Sequence, residues 1–184
     1  MSNVNATPMA GRPPEDGSAI SAETLLLRAF QEHRDELIST LVFFLGNAED
    51  AQDAAQDTFL KCWRNRAELS QIHNLRAWIF RVGLNTAKDM QRSGWSRKSR
   101  PLVGDEQMFT ARETTPTKAL EEQEALERLR RAIMELRNEE KEVFLLRQNG
   151  GFTYEQIAEM RSAPVGTVKT QMRSALQKLR KLLT

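Results

Sequence analysis

Cysteine occurs once in the chain, at Cys62, and histidine twice, at His33 and His73. One thiol excludes a disulfide framework and a cysteine-rich metal site. The two isolated histidines have no partner at metal-ligand spacing. No run of apolar residues approaches the length that spans a bilayer, and the N-terminus lacks the apolar core of a signal peptide. The expectation is a chain without membrane insertion, working in a reducing cytoplasm. Strand-like alternation of useful length is also missing, which points to an all-α fold. No serine sits in a nucleophile elbow, and Gly150-Gly151 follows a helical segment rather than a strand, so it does not form a phosphate cradle. These absences leave no metal, no cofactor and no small-molecule substrate in view, and argue against an enzyme.

What is present is charge sorted into blocks. The 184 residues carry a formal net charge of only +2, yet acids crowd Glu49–Asp57 and Glu121–Glu142. Bases crowd Arg76–Arg100, where Asp89 is the only acid, and Arg161–Lys181, where there is none. Like-charge blocks on amphipathic segments mark separate surfaces for separate partners, and the two basic ones suit a polyanion.

Helical periodicity divides the chain into two small helical domains joined by a flexible linker. Residues 1–20, with Pro8, Gly11, Pro13, Pro14 and Gly17, read as a disordered tail. The first domain is expected over 21–97. Ser21 reads as an N-cap, and Leu27, Phe30, Leu37, Leu41 and Phe44 form a stripe that ends at Gly46-Asn47. A second helix, Ala48 to about Arg66, sets Ala55, Phe59, Cys62 and Trp63 inward, with Cys62 as a small buried hydrophobe. Its other side shows Glu49, Asp50, Asp53, Gln56 and Asp57. The helix dipole favours acids in the first turn but does not reach Asp57. A polar connection, Ala67–Asn74, leads to a third helix from Leu75 to about Ser93. Leu75, Ile79, Val82 and Met90 face inward there, and Arg76, Arg81, Lys88 and Arg92 are left for solvent or ligand. Residues 98–117, with Pro101, Gly104 and Pro116, read as the linker. The second domain, 118–184, opens with Leu120, Leu126, Leu129, Ile133 and Leu136 at helical spacing. A short helix capped by Asn138 follows.

The most specific signal lies in Phe152–Leu182. Thr153-Tyr-Glu-Gln156 has the form of a capping box. Ile157, Ala158 and Met160 give a short helix its inner face, Ser162-Ala163-Pro164 breaks it, and Pro164 suits the first turn of the next helix. Val168, Met172, Leu176, Leu179 and Leu182 then line one side of a long final helix, while Thr167, Lys169, Thr170, Gln171 and Arg173 cover the other near its start. This is a helix-turn-helix, whose second helix can present its early residues to base edges in the major groove. Lys178, Arg180 and Lys181 stand where they can clamp phosphates.

Tyr154-Glu-Gln-Ile-Ala-Glu159, followed by Pro164-Val-Gly-Thr-Val-Lys169, resembles the promoter-reading helix-turn-helix of extracytoplasmic-function (ECF) sigma factors, and Val143-Phe-Leu-Leu-Arg147 fits the same family. In the N-terminal half, Ala48–Phe59 resembles the family's core-polymerase helix. Leu75-Arg-Ala-Trp-Ile-Phe-Arg81, with Asn85 and Asp89, resembles its minus-ten-element helix. The resemblance runs in order from Leu25 to Leu183. It implies a bacterial initiation factor whose partners are core RNA polymerase, promoter DNA and an anti-sigma factor. By position, Asp50, Asp53, Gln56 and Asp57 would face the polymerase. Ser70 and Asn74 would lie in the loop that captures a flipped minus-ten base, with Arg76, Trp78, Arg81, Asn85, Lys88 and Arg92 holding the strands. Thr167, Lys169, Thr170, Gln171, Arg173 and Lys178 would grip or read the minus-thirty-five element. One departure stands out: Arg161-Ser162 replaces the family's usual Leu-Gly pair entering the turn, removing a buried apolar group and the residue best suited to positive φ.

Two other readings compete. A conventional dimeric regulator would need an apolar exposed seam, and none is evident. A helical adaptor that binds only protein would show no salt-dependent binding of DNA. Footprinting without polymerase and the salt dependence of DNA binding discriminate these from a sigma factor.

Overall fold

In the computed structural model, which describes residues 21–93 and 116–184, the first domain comprises α1 (Ala22–Leu45), α2 (Ala48–Arg64), a short 3-10 helix (Arg66–Gln71) and α3 (Leu75–Arg92). The second comprises α4 (Pro116–Met134), α5 (Asn138–Gln148), α6 (Tyr154–Arg161) and α7 (Val165–Leu183). No strand occurs among the described residues. The expected tail, 1–20, and all of the expected linker except Pro116 and Thr117 lie outside them.

Local chemistry explains most helix ends. The Ser21 hydroxyl accepts from the Thr24 amide, and Gly46 closes α1 in the left-handed region at φ 87°. The Asn47 side chain caps α2 by accepting from the Asp50 amide at 2.7 Å. Asn74 does the same for α3 through the Ala77 amide at 2.9 Å. Pro116, expected in the linker, instead begins α4, where its missing amide hydrogen costs nothing. Asn138 is not the cap of α5. The cap is Arg137, whose amide donates to Glu140 Oε2 at 3.1 Å, and Asn138 opens the helix proper.

The first-domain core joins Leu37, Leu41 and Phe44 of α1 to Ala51, Ala55 and Cys62 of α2 and to Ile79, Phe80 and Leu84 of α3. A Cβ on Gly83 would lie 2.8 Å from Leu37 Cδ1, so glycine there lets α3 lie this close to α1 without displacing the Leu37 side chain. Two expected stripes are corrected. In α1 the buried residue near the start is Leu26, with Leu27 42% exposed. In α7 Val168, Met172, Ala175 and Leu179 are buried, whereas Leu176 and Leu182 are exposed, Leu176 lining an open groove with Tyr154 and Arg180 where no helix covers it. The polar connection before α3 holds the 3-10 helix, and α2 stops before it at Arg64.

The two domains touch. Phe80 of α3 meets Phe152, just before α6, edge to face at 5.2 Å. Lys141 of α5 lies over the Phe44 ring at 5.6 Å, and the Asn149 amide donates to the Ser39 hydroxyl at 3.4 Å.

Candidate nucleic-acid interface

The helix-turn-helix is built as its sequence implies. The Gln156 amide donates to the Thr153 hydroxyl at 3.2 Å, and the Thr153 amide donates to Gln156 Oε1 at 2.9 Å, closing the capping box. The turn holds without glycine: Ser162 takes φ 50°, ψ 45°, and the Ala163 amide donates back to the Ala158 carbonyl at 2.9 Å. Pro164 stands one position before α7 as its N-cap. Arg161 is not an apolar plug. It is largely buried, donates to Glu142 Oε2 at 3.1 Å and also donates to Gln171 Oε1.

Of the side chains expected on the minus-thirty-five element, Thr167, Lys169, Thr170 and Arg173 are exposed in a row at the start of α7. Lys169 leans toward the Tyr154 ring at 5.9 Å. Beside them a groove of about 490 Å³ runs between Tyr154, Met172, Arg173 and Arg180. The other two are engaged within the protein. Gln171 receives Arg161, and Lys178 donates to both oxygens of Glu140 at 2.9 and 2.7 Å. Burial would raise the Glu140 pKa, but its hydrogen bonds to Lys178, Ser174 and the Arg137 amide outweigh burial and hold the carboxyl below its ordinary value.

The minus-ten candidates also fall into two groups. Ser70, Asn74, Arg81, Asn85 and Arg92 are exposed, while Trp78 is half-buried against the core. Arg92 keeps only a loose contact of 3.8 Å with Asp89. Asn74 spends its carbonyl on the α3 cap and retains its amide hydrogens. Arg76, by contrast, donates to Glu36 Oε1 at 2.7 Å and to the Gly150 carbonyl, with its guanidinium 4.4 Å from the Phe152 ring centre. Lys88 donates to Glu142 Oε1 at 2.7 Å. Both were expected to face solvent or nucleic acid, and both are engaged with the second domain because it supplies an acceptor at each. Between the domains lies a cleft of about 190 Å³, lined by Asn74, Trp78 and Arg81 on one side and Gln156, Glu159 and Met160 on the other.

On α2, Asp53, Gln56 and Asp57 share an exposed face. Asp50 does not belong to it. It is 1% exposed and accepts from the Asn47 side-chain amide at 2.7 Å, because the residue that caps the helix draws it inward. Glu142 went unnoticed in the sequence, where it is one acid in an acidic block. Cys62 is sealed in the core, and burial pushes its thiol up to about 12, the setting of an inert thiol. Among the described residues no group of three or more His, Cys, Asp or Glu can hold a metal ion, and no helix is long and apolar enough to cross a membrane.

An acidic face, an exposed basic helix-turn-helix and a cationic helix on a separate domain define a helical, DNA-binding transcription factor. Comparison with known proteins narrows the class. The family description "Sigma-70 region 2" matches residues 29–97, and "Sigma-70, region 4" matches residues 126–179. The chain is 32% identical over 167 residues to the ECF RNA polymerase sigma factor SigL of Mycobacterium tuberculosis, covering 88% of this chain and 91% of that one. It is 26% identical over 159 residues to the RNA polymerase sigma-H factor of Pseudomonas aeruginosa, covering 83% and 82%. Its fold matches that of the sigma factor RpoE from Bartonella quintana, solved with the anti-sigma factor NepR, at a TM-score of 0.63 and 22% identity, covering 88% and 95%. The chain belongs to the ECF sigma factors of RNA polymerase, alternative sigma factors that direct promoter-specific transcription initiation.

Proposed function

We propose that this sigma factor divides its work among three surfaces. Asp53, Gln56 and Asp57 dock on core RNA polymerase. Thr167, Lys169, Thr170 and Arg173 enter the major groove of the minus-thirty-five duplex. Asn74, Arg81, Asn85 and Arg92 grip the minus-ten strand, Ser70 lies beside the captured base, and Arg76 and Lys88 join once they are uncovered. Capturing a base takes a pocket that satisfies its edge and offsets the lost stacking. The cleft at Asn74 and Trp78 has an amide for the edge, whereas the Trp78 ring serves packing first. Gln171 and Lys178 serve the fold of the second domain, and Asp50 serves the α2 cap.

The domain limits that go with this reading are 21–97 and 118–184. The factor acts without a reaction of its own, in the cytoplasm, where polymerase and promoter are. By analogy with the Bartonella RpoE–NepR pair, an anti-sigma factor restrains it.

The observation that carries the reading is the row of exposed, polar and basic side chains at the start of α7, the second helix of a helix-turn-helix whose first helix, α6, is closed by a full capping box. Run-off transcription with purified core enzyme across genomic DNA tests it. Transcripts should start at sites sharing paired elements at fixed spacing, and only when the chain is added. Transcripts that start without regard to sequence would sink the proposal.

A further inference from the structure

Arg161 stands where the family usually places leucine, and its side chain is only 12% exposed. Its Nε donates to Glu142 Oε2 at 3.1 Å, and its Nη1 donates to Gln171 Oε1 on the second turn of α7. A guanidinium has only donors, so whatever faces it must accept. The Gln171 carboxamide is thereby oriented: its oxygen lies toward Arg161, and turning the group over would set amide hydrogens against a largely buried cation. Glu142, its side chain 7% exposed, holds Arg161 in place from α5. The amide nitrogen of Gln171 has no acceptor among the described residues and is not sealed from solvent. Serving the fold thus occupies the carbonyl of Gln171 and leaves its N–H groups open. They stand one helical turn beyond exposed Thr167 and next to exposed Thr170.

A glutamine with both ends available pairs with adenine, accepting from N6 and donating to N7. With the oxygen withheld, that pairing is lost. Guanine presents two acceptors, N7 and O6, on its major-groove edge, and suits a group that can only donate. We propose that Arg161 is a positioning residue for promoter choice: by holding the Gln171 carbonyl it makes the amide a donor-only probe that selects guanine over adenine at one position of the minus-thirty-five element. The inference rests on the assignment of α7 to that duplex and deepens it by one base. Arg161 acts through Gln171 from beneath. Leucine at 161 has no donor to occupy the carbonyl, and the glutamine above it would turn either way.

The test offers holoenzyme, assembled from core polymerase and the whole chain, duplexes randomised across the minus-thirty-five element of a promoter that run-off transcription identifies. The bound fraction is then sequenced. Gln171→Ala should lower the guanine-over-adenine preference at one position by about fivefold or more, the smaller end of what a good bidentate base contact contributes. Other positions should keep theirs. Arg161→Leu should raise adenine at that same position, and combining it with Gln171→Ala should change nothing further there. Should Arg161→Leu fail to fold, Gln171→Glu decides instead. The glutamate keeps one oxygen on Arg161 and turns the other outward, so the position should swing from guanine to cytosine, whose N4 amine donates. A Gln171→Ala variant that loses affinity evenly for every sequence, as the loss of a phosphate contact would have it, overturns the proposal. So does an unchanged guanine preference in folded Arg161→Leu. Selection by the parent factor that none of these variants alters overturns the inference and leaves the minus-thirty-five assignment standing, whereas no selection by the parent factor overturns both.

Discussion

Replacing Arg173 and Lys178 separately by alanine divides the cations of α7 by role. Arg173 is exposed and makes no hydrogen bond or ion pair among the described residues, so its loss should leave stability within about 0.5 kcal/mol. If it holds a guanine edge, its removal costs roughly 1–3 kcal/mol, or about 5- to 160-fold in affinity for the minus-thirty-five duplex. If it holds a phosphate, the loss is uniform across sequences and the log–log salt slope falls by about 0.9. Lys178 reverses the pattern. It grips both oxygens of Glu140, a carboxylate whose side chain is only 7% exposed. Lys178 itself is 38% exposed, so solvent screening reduces the pair to about 1 kcal/mol of stability. Urea denaturation of the whole chain reads that loss, and duplex anisotropy should shift less than about twofold, a change near 0.4 kcal/mol. If Lys178→Ala weakens duplex binding as much as Arg173→Ala and leaves the urea midpoint unchanged, the division of the helix into a reading row and a bracing residue is refuted.

Charge reversal at Asp53 and Asp57, both exposed, should lower affinity for core polymerase by about tenfold or more with unchanged circular dichroism, since like charges brought together across an interface are strongly unfavourable. Unchanged polymerase affinity would remove α2 as the docking face. The pH dependence of stability should carry a mark from Glu140. Its pKa in the folded chain lies below the ordinary value of 4.5, so its contribution is complete above 4.5 and fades as pH falls through the lower folded value. Glu140→Gln should flatten that acid limb, and an acid limb of the same steepness would show that other carboxylates govern it.

Legibility in the sequence tracks distance along the chain. Ser21 and the Thr153–Gln156 box were readable because a cap and the amide it serves lie three residues apart, whereas the Asn74 cap, of the same span, was passed over for a base-capturing role. The helix-turn-helix was readable for the same reason, even though Ser162 adopts the left-handed turn in place of glycine. Asp50 was misplaced because periodicity assigns a face by angle alone, and the pull of the Asn47 side chain at the end of the helix overrides that angle. Leu26 and Leu27 were exchanged, and Leu176 and Leu182 expected inside, because a stripe shows which residues share a side but not how far the neighbouring helices cover it.

The cations illustrate the deepest limit. In sequence every lysine and arginine of the two basic blocks offers the same charge, and a polyanion is the natural partner for all of them. Folding separates them by what lies opposite. Lys88 meets Glu142 across 54 residues of chain, and Lys178 meets Glu140 across 38. No periodicity encodes those partners, since each acid sits in a block whose members look alike until α5 is docked. The consequence reaches measurement. If the basic surfaces hold DNA as proposed, the salt slope of binding counts first the cations turned to solvent, such as Arg81, Lys169 and Arg173. Arg76 and Lys88 are instead held by the Gly150 carbonyl and the Glu142 carboxylate.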